Sequence, residues 1–482
     1  MNSTFKVVFN KARGTLMVAN ELTSSVQKKG VSLVAATAAV LTFLTVPAVN
    51  AANIADQTFE NQTTSTSGGA LTLNKDEANT ISGSTFTKNT AAMKGGAVVI
   101  EKDTVITNST FDSNSQTSTA TDTAGGAVFI DGAKVEISGS TSFTQNTGFL
   151  GGAVNVRNGS KLSITDSVFI GNTANGFGGA ISDYEDKKGA VQNELISINR
   201  TVFKNNRDSK GGGALHVVNT RAIDITDSEF SSNFSAGKGG AIQLENGANL
   251  TVIDTVFNGN TTNYWGGAIR ILGADATISV TKDISMTGNK ANVNGLMSAS
   301  YSDMGGFAYL QGNSKLTLAG ENGATLTIGD ANAVDKTIDS IASIGGYESS
   351  ANELILKGNV VINSSLEAFS DKITVADNAK VTMATGFASD RISLQVDING
   401  YGDVAYDDYG TSELSLGEKA SLTMGDLVIN RAGSTGVKEY GNPGVKITAG
   451  QNSTLNLKSL SLVTKKYLSK GKETNVTTTG YG

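Results

Sequence analysis

The amino-acid sequence predicts an all-β chain that folds as an extended, right-handed, single-stranded parallel β-helix, a solenoid of stacked coils. Three observations lead to this prediction: a recurring Gly-Gly pair, a Phe-x-x-Asn motif that recurs in step with it, and short apolar stretches that alternate with period two. The composition agrees, because 56 Gly and only 2 Pro among 482 residues suit a repeat array better than several compact cores.

The Gly-Gly pair sets the period of the repeat. Four of the eight spacings between pairs are 27 residues, and Ala follows the pair in eight of nine cases, each time with an aliphatic residue next. Glycine allows a sharp corner and a close approach of two backbones, so each pair is predicted to form a corner of one coil. The first glycines of the pairs are Gly68, Gly95, Gly125, Gly151, Gly178, Gly212, Gly239, Gly266 and Gly305.

The Phe-x-x-Asn motif precedes the Gly-Gly pairs. In a stack of coils the Phe rings are expected to point inward as a column, and each Asn amide is expected to bond to its equivalents in the coils above and below. We therefore predict structural roles for these residues. The seven pairs are Phe86 and Asn89, Phe111 and Asn114, Phe143 and Asn146, Phe169 and Asn172, Phe203 and Asn206, Phe230 and Asn233, and Phe257 and Asn260.

The strands can be derived from the unit that reads GGAIQLENGANLTVIDTVFNGNTTNYW. Ile242 and Leu244 alternate with a polar residue, and Leu250 and Val252 do the same after a turn at Asn246. Strands this short, repeated in one direction, bury their inner faces only by stacking coil on coil, and parallel crossovers are right-handed. About sixteen coils at ~4.8 Å each predict a length of ~75 Å.

The repeat divides the chain into three predicted segments. Residues 1–51 are a leader, residues 52–310 are the repeat region, and residues 311–482 continue the solenoid in degenerate form because the alternation persists without the motifs. In the last unit before the motifs fade, Met286 and Asn289 take the places of Phe and Asn. Insertions at residues 115–124, 183–193 and 290–304 break the period and are expected to protrude as loops.

The leader contains a secretory signal. Residues 31–46 form an uncharged apolar stretch, which is short for a bilayer span of ~20 residues, and Lys28 and Lys29 precede it. Small residues follow the stretch, so we predict signal cleavage after Ala51, with Ala52 as the second choice.

Thirty residues precede that apolar stretch, which is long for a simple signal. The segments Met1-Asn2, FKVVFN at residues 5–10, Gly14 and VANEL at residues 18–22 resemble the extended signal peptide region of Gram-negative type V secreted proteins. This resemblance implies export across the inner membrane and then delivery across the outer membrane by a β-barrel.

The two repeat motifs resemble those of the chlamydial polymorphic membrane proteins and similar repeat autotransporters, over residues 55–310. The resemblance implies a surface adhesin with a β-helical passenger and a C-terminal barrel. The C-terminal residues lack the pattern of amphipathic membrane strands, so we expect the barrel to be absent from this chain, which is then either truncated or served by a separate one.

The partners implied by the resemblance are an outer-membrane β-barrel translocator and ligands on host surfaces, in the matrix or on neighbouring cells. The expected location is the cell surface or, if the chain is released, the extracellular space. After residue 51 the chain carries 33 Lys and Arg against 43 Asp and Glu, a net charge of −10 without basic clusters, which argues against nucleic acid as a partner.

Catalysis is not expected, and no catalytic, cofactor or metal residue is predicted. There is no Cys, and His216 is the only His; strand alternation places it outward beside inward aliphatics. The carboxylates Asp112, Asp166, Asp227 and Asp254 recur as a distributed column, which favours turn or ladder roles.

The alternative function is a secreted β-helical polysaccharide lyase or hydrolase, which would need a concentrated cluster of carboxylates or cations on one strand face. The adhesive function needs only an extended surface with polar and aromatic side chains. Candidate surface-binding residues are Tyr264, Trp265, Arg270 and Tyr309, although Tyr264 and Trp265 could also cap the turn before Gly266.

Overall fold

A computed structural model describes most of the chain from residue 53 onward. The predicted cleavage positions Ala51 and Ala52 lie outside the described residues. The described ranges are 5–10, 15–20, 53–74, 78–120, 123–184, 191–295, 305–335, 337–344, 352–369, 372–383, 391–396, 412–434, 445–468 and 472–481.

These residues form strands and turns without a helix, and nearly all neighbouring strands run parallel. Each coil of the repeat region contributes four strands, and equivalent strands of successive coils stack into four walls. Wall A follows the Gly-Gly pair, wall B follows the next turn, wall C contains the motif Phe, and wall D follows the motif Asn. The predicted all-β parallel β-helix is confirmed.

Walls A and B belong to one continuous sheet. The strands of wall A are Leu71–Leu73, Val98–Ile100, Val128–Asp131, Val154–Arg157, Ile181–Ser182, Leu215–Val217, Ile242–Glu245, Ile269–Leu272, Ala308–Gln311, Ile341–Ile344, Leu366–Phe369 and Arg391–Val396. Those of wall B are Asn53–Ala55, Asn79–Ser82, Thr104–Thr107, Lys134–Ser138, Lys161–Thr165, Asn193–Asn199, Thr220–Thr226, Asn249–Ile253, Asp275–Val280, Lys315–Ile328, Glu353–Ile362, Lys372–Val375, Ser412–Leu416 and Val445–Ala449.

Walls C and D are each a separate parallel sheet. The strands of wall C are Thr58–Glu60, Thr85–Thr87, Thr110–Asp112, Ser142–Thr144, Val168–Ile170, Val202–Lys204, Glu229–Ser231 and Val256–Asn258. Those of wall D are Thr63–Thr64, Thr90–Ala91, Ser115–Gln116, Thr147–Gly148, Thr173–Ala174, Arg207–Asp208, Phe234–Ser235 and Thr261–Thr262.

The coils after Asn289 continue the stack in a simpler form. Among the described residues there, wall D continues only as a single parallel bridge between Thr261 and Lys290. Strands at the wall C position join the large sheet, as when Ile284–Met286 pairs with the end of Lys315–Ile328. The remaining strands of the stack are Lys380–Met383, Ser421–Ser434 and Thr454–Leu468, and Lys472–Tyr481 runs antiparallel to Thr454–Leu468. In the leader, Phe5–Asn10 pairs antiparallel with Thr15–Asn20.

A column of Phe rings fills the core behind wall C. Neighbouring rings stack nearly parallel, with centroids 4.7–5.0 Å apart from Phe59 to Phe257. From Phe86 onward these side chains are fully buried. The column changes at Met286, and there Phe307, which replaces the Ala of the Gly-Gly-Ala motif, meets Phe257 edge-on at 6.3 Å. The bulky ring at the corner thus occupies core space that the thinner Met side chain leaves.

The motif Asn residues form a buried ladder. Asn172 is typical: its Nδ2 donates to Asn206 Oδ1 at 2.9 Å and to the carbonyl of Phe143 at 3.0 Å. Its Oδ1 accepts the backbone N–H and the Nδ2 of Asn146, both at 3.0 Å. Every polar atom of the amide is therefore paired, as a buried polar group requires. The same bonds run from Asn89 to Asn289.

Asp339 ends the ladder. Its Oδ1 accepts the backbone N–H and the Nδ2 of Asn289, both at 2.8 Å, and its Oδ2 accepts the N–H of Gly288 at 2.7 Å. A carboxylate only accepts hydrogen bonds, so it cannot pass the chain of donations to a further coil. Burial raises the pKa of Asp339 to about 6, although the bonds from Asn289 and Gly288 act in the opposite direction.

The Gly-Gly corner needs two different properties of glycine. The first residue, as in Gly178 with φ of 69°, adopts the left-handed conformation that glycine tolerates best. The second residue, as in Gly179, packs directly on the next coil: a Cβ there would lie 2.0 Å from the carbonyl oxygen of Gly213. The backbones of successive coils therefore approach each other closely at this corner.

Candidate functional site

Wall A carries a second layer of side chains on its outer side. Alternate residues of each strand face away from the core and stack in register as an outer file. All of them are buried, with at most 4% of the surface exposed. The outer file consists of Val99, Phe129, Asn155, Ser182, His216, Gln243, Arg270 and Tyr309.

In three coils, the residue before the Gly-Gly pair covers the outer-file residue of the next coil. The covering residue changes from coil to coil between aromatic, cationic and small, while its position stays fixed by the repeat. In the first pair, the Lys94 amine lies 4.6 Å from the centroid of the Phe129 ring. In the second, the ring centroids of Phe177 and His216 are 4.5 Å apart. In the third, the ring centroids of Trp265 and Tyr309 are 5.6 Å apart.

His216 faces away from the core, as expected, but it is not a surface residue. Phe177 stacks on its ring, Tyr184 lies tilted beside it with centroids 5.9 Å apart, and only 1% of the residue is exposed. Burial, with a smaller contribution from the charge of Arg270, lowers the pKa of His216 to about 3, so the imidazole is neutral at physiological pH. Strand alternation could not reveal this, because the covering ring comes from the preceding coil.

The cation of the outer file is Arg270, which lies two coils after His216. Its Nη1 donates to Glu245 Oε1 at 3.0 Å and its Nη2 donates to Gln311 Oε1 at 2.9 Å. Glu245 also accepts a hydrogen bond from Gln243 Nε2. Burial lowers the pKa of Arg270, whereas the Glu245 carboxylate acts to raise it. The guanidinium is thus held rigidly between two neighbouring coils.

Lys238, from the preceding coil, lies close to this guanidinium and to the Trp265 ring. The Lys238 amine is 4.7 Å from the centroid of the Trp265 ring, a cation–π contact. Burial lowers the pKa of Lys238 and the charge of Arg270 lowers it further, while Glu245 acts to raise it. The two cations are therefore close enough to repel each other, and one carboxylate serves both.

The four predicted binding residues come together on adjacent coils. Tyr264 and Trp265 are half-buried, with ring centroids 6.0 Å apart, while Arg270 and Tyr309 are buried beneath the covering residues. The neighbouring residues Lys238, Glu245 and Gln243 were not among those predicted from the sequence. The signal that could have found Lys238 is its place immediately before a Gly-Gly pair, the same place that Trp265 occupies one coil later. A binding role for Tyr264, Trp265, Arg270 and Tyr309 remains a prediction.

Two of the three insertions are shorter than predicted, because Ser115–Gln116 is a wall D strand and Asn193 begins a wall B strand. Residues 121–122, 185–190 and 296–304 lie outside the described residues. The described parts of the insertions adjoin wall A, either before a Gly-Gly pair or after the strand Ile181–Ser182. One residue of the second insertion, Tyr184, packs against the outer layer at Phe177, with ring centroids 5.0 Å apart. Loops on a rigid scaffold commonly carry binding functions, so this wall is the candidate functional surface.

The predicted carboxylate column is partly wrong. Asp166, Asp227 and Asp254 all have positive φ and occupy one corner between walls B and C, where Arg200 also lies. Asp112 does not belong to this corner; it lies in the wall C strand Thr110–Asp112 and accepts a hydrogen bond from Thr144. The error arose because Asp112 follows the motif Phe, whereas the other three precede it. The corner residues support turns, and Arg200 pairs with Asp166 through two hydrogen bonds of 2.7 and 2.8 Å.

Asp208 is a buried carboxylate in wall D, next to the turn that carries Lys210. Its Oδ2 accepts the backbone N–H of Lys210 at 2.6 Å and that of Gly211. Burial raises the pKa of Asp208 to about 7, and hydrogen bonds from Ser235, Gly211 and Lys210 only partly offset this. Burial likewise raises the pKa of Asp183 to about 6.

The raised pKa of Asp208 predicts a pH-dependent stability. The folded chain holds the proton up to about pH 7, whereas the unfolded chain loses it near pH 3.8, so the stabilising effect is present at low pH and is lost as pH rises across that window. We expect the free energy of unfolding to fall by about 2 kcal/mol between pH 5 and pH 7.5 from this group. Urea unfolding at both pH values measures it.

The control for this prediction is the exposed Asp224 on wall B. Asp208→Asn should flatten the pH dependence and stabilise the chain at pH 7.5, and Asp224→Asn should change neither. A pH dependence that is the same in Asp208→Asn and in the unaltered chain would contradict the assignment.

Two further observations concern other classes of site. Among the residues that the structure describes, no three His, Asp or Glu side chains converge to hold a metal ion. In the same residues, no helix is long and apolar enough to cross a membrane.

Comparison with known protein families finds two matches. Residues 1–50 match the Extended Signal Peptide of Type V secretion system. Residues 83–101, 166–183, 227–245 and 254–271 match the Chlamydia polymorphic membrane protein repeat. Each of the four repeat segments runs from the corner between walls B and C to a wall A strand.

One relative is the probable autotransporter YfaL of Escherichia coli strain K12. It is 37% identical over 108 residues, which is 20% of this chain and 8% of that protein. The match therefore spans less than a tenth of the relative. No solved structure matches the chain. The leader matches that of type V secreted proteins and directs export to the cell surface or the extracellular space, and the repeats are similar to those of the chlamydial proteins.

Proposed function

We propose that this chain is an adhesin, which attaches the cell to host surfaces, matrix or neighbouring cells through wall A and its loops. The observation that supports this most is the outer layer of wall A, where aromatic and cationic side chains line successive coils beside all three insertions. The repeat and the leader support display of this layer outside the cell.

The rigidity of the scaffold supports adhesion in a second way. The Asn ladder and the Phe column hold successive coils at fixed spacing, so binding groups on wall A keep a constant geometry along the molecule. Many copies on one cell would add their contacts, which raises the strength of attachment far above that of one copy.

We further propose an outer-membrane β-barrel as the translocation partner, because the extended signal peptide and the autotransporter relative both point to type V secretion. We also propose that the chain binds without catalysing a reaction. His216, the one imidazole in the sequence, is stacked beneath Phe177 and would be hard for a substrate to reach.

The test is display of the chain on cells through a fused outer-membrane barrel. Cells that display it should adhere to host cells, matrix or each other at least several-fold more than cells with the barrel alone. The variant His216→Phe, which keeps an aromatic ring against Phe177, should adhere as well as the unaltered chain.

The opposing function is tested on the purified chain. Turnover of polysaccharides, together with no gain in adherence on display, would replace the adhesin proposal with a β-helical lyase or hydrolase. Loss of that turnover in His216→Phe would identify the imidazole as its catalyst.

A further inference from the structure

Two cations lie close together on wall A of an acidic chain. Lys238 and Arg270 lie together, and Glu245 is the carboxylate that pairs with the guanidinium. Lys238 forms no ion pair with a described carboxylate and instead rests on the Trp265 ring. The chain as a whole has a net charge of −6, so a pair of cations that shares one carboxylate is not a consequence of composition.

Two hydrogen-bond donors at the same place are unpaired. Arg270 Nε and Trp265 Nε1 are buried and have no hydrogen-bond partner among the described residues. Arg270 as a residue is only 4% exposed. A buried donor without a partner costs free energy, and native structures seldom keep one without a reason. Arg270 Nε and Trp265 Nε1 only donate, so the group that would satisfy them carries an acceptor, whereas the unpaired Gln243 Oε1 of the preceding coil needs a donor.

We propose that Lys238, Trp265 and Arg270 form a binding site for an acidic glycan, a carbohydrate chain that bears carboxylate or sulfate groups. The proposal rests on the adhesive function and names the class of ligand for it. An oxyanion supplies the acceptors that the two donors need. Its negative charge also offsets the repulsion between the two cations.

The Lys238 side chain gives the ligand a route to the covered donors. Lys238 is half-buried and flexible, so an acidic group meets its amine first. In the proposed site, pairing with that group draws the amine away from the Trp265 ring, over which it lies, and gives the ligand access to the indole N–H.

The arrangement favours a glycan over other anionic polymers. The sugar rings have apolar faces and hydroxyls that suit the half-buried rings of Tyr264 and Trp265. Coils repeat at about 4.8 Å along the stack, so a linear chain lying on wall A meets equivalent positions in succession. A nucleic acid would need many phosphate contacts from Lys and Arg, which this acidic surface does not offer.

Lys94 is a matched control for Lys238. Both residues immediately precede a Gly-Gly pair, both are half-buried, and both place the amine over an aromatic ring, at 4.6 and 4.7 Å from the centroids. They differ in the outer-file residue of the next coil, which is Phe129 under Lys94 and Arg270 under Lys238. Replacing either with Ala removes one positive charge from the chain.

The experiment is calorimetric titration of the purified chain with three oligosaccharides. Heparin fragments carry sulfate and carboxylate, hyaluronan fragments carry carboxylate alone, and chitin fragments are neutral. We expect the acidic fragments to bind and the neutral one not to bind. Binding of both acidic fragments would identify carboxylate as sufficient, and binding of heparin alone would identify sulfate as the recognised group.

The variants locate the site. Lys238→Ala should weaken binding at least tenfold, and Lys94→Ala should change it less than twofold. Trp265→Phe keeps a ring over Tyr309 and removes only the indole donor and part of the ring, so it should weaken binding several-fold. Equal losses in Lys238→Ala and Lys94→Ala, equal binding of chitin fragments, or no binding of either acidic fragment would each overturn the proposal.

The result is separable from the test of adhesion. Cells that adhere although the purified chain binds no acidic glycan would leave the adhesin function standing and remove this ligand. A purified chain that binds acidic glycans through Lys238, on cells that do not adhere, would keep the site and remove the adhesin function.

Discussion

Gly179→Ala is expected to disrupt the coil that contains it and to lower the free energy of unfolding by more than about 4 kcal/mol. The added Cβ would lie 2.0 Å from the carbonyl oxygen of Gly213 and 2.7 Å from backbone atoms of Arg207. Neither neighbour can move alone, because Gly179 N–H donates to the carbonyl of Gly212 at 3.0 Å and so ties the two coils together. Urea unfolding combined with hydrogen exchange of the backbone amides would measure the effect and locate it.

Gly247→Ala is the control for that substitution. Gly247 has φ of 77° and no heavy atom within 4 Å of the position of an added Cβ, so only the backbone conformation is strained. That strain costs about 1 kcal/mol. If Gly179→Ala proved no more costly than Gly247→Ala, close packing of the corners would not be what fixes the spacing of the coils.

Asn172→Ala is expected to destabilise the chain by about 3 kcal/mol. The substitution leaves the buried backbone N–H of Asn146 and the carbonyl of Phe143 without their partners, and it interrupts the side-chain bonds on both sides. Each unpaired buried group costs about 1–3 kcal/mol. Thermal and urea unfolding give the total, and hydrogen exchange should show faster exchange in the coils on both sides of residue 172.

The control is Asn175→Ala, three residues further along the same coil. The Asn175 residue is exposed, and its side chain makes no ladder bond. Its backbone N–H donates to the carbonyl of Gly148. A change within about 0.5 kcal/mol is expected for such a surface position. Similar losses in the two variants would show that the ladder contributes little beyond ordinary coil packing.

The repeat region could be predicted from sequence because every coil repeats the same physical requirement. The inward Phe, the buried Asn and the corner Gly-Gly each occupy a position that only a few residue types can fill, so the requirement is visible in the residues. The later coils were harder to describe, since their walls B and C merge into long strands such as Glu353–Ile362 and the Asn position is lost.

The outer layer of wall A could not be predicted in the same way. Burial of His216 depends on Phe177, which lies a coil earlier and stands at a position where other coils have Lys, Gly or Trp. Strand alternation assigns a residue to one side of its own strand, and it carries no information about a cover that the neighbouring coil provides. The end of the ladder at Asp339 was missed for a similar reason, because Asp339 follows no repeat motif.

The one-way direction of the Asn ladder has a consequence for how the length of this molecule can change. Each internal Asn makes the same set of hydrogen bonds to the coils before and after it. A duplicated coil placed between Asn89 and Asn289 therefore leaves no additional Asn side chain without hydrogen-bond partners. Unequal recombination between tandem units of the gene would add or remove whole coils in the same orientation. We therefore expect the distance between the cell and the tip of the molecule to vary among related strains in steps of about 4.8 Å.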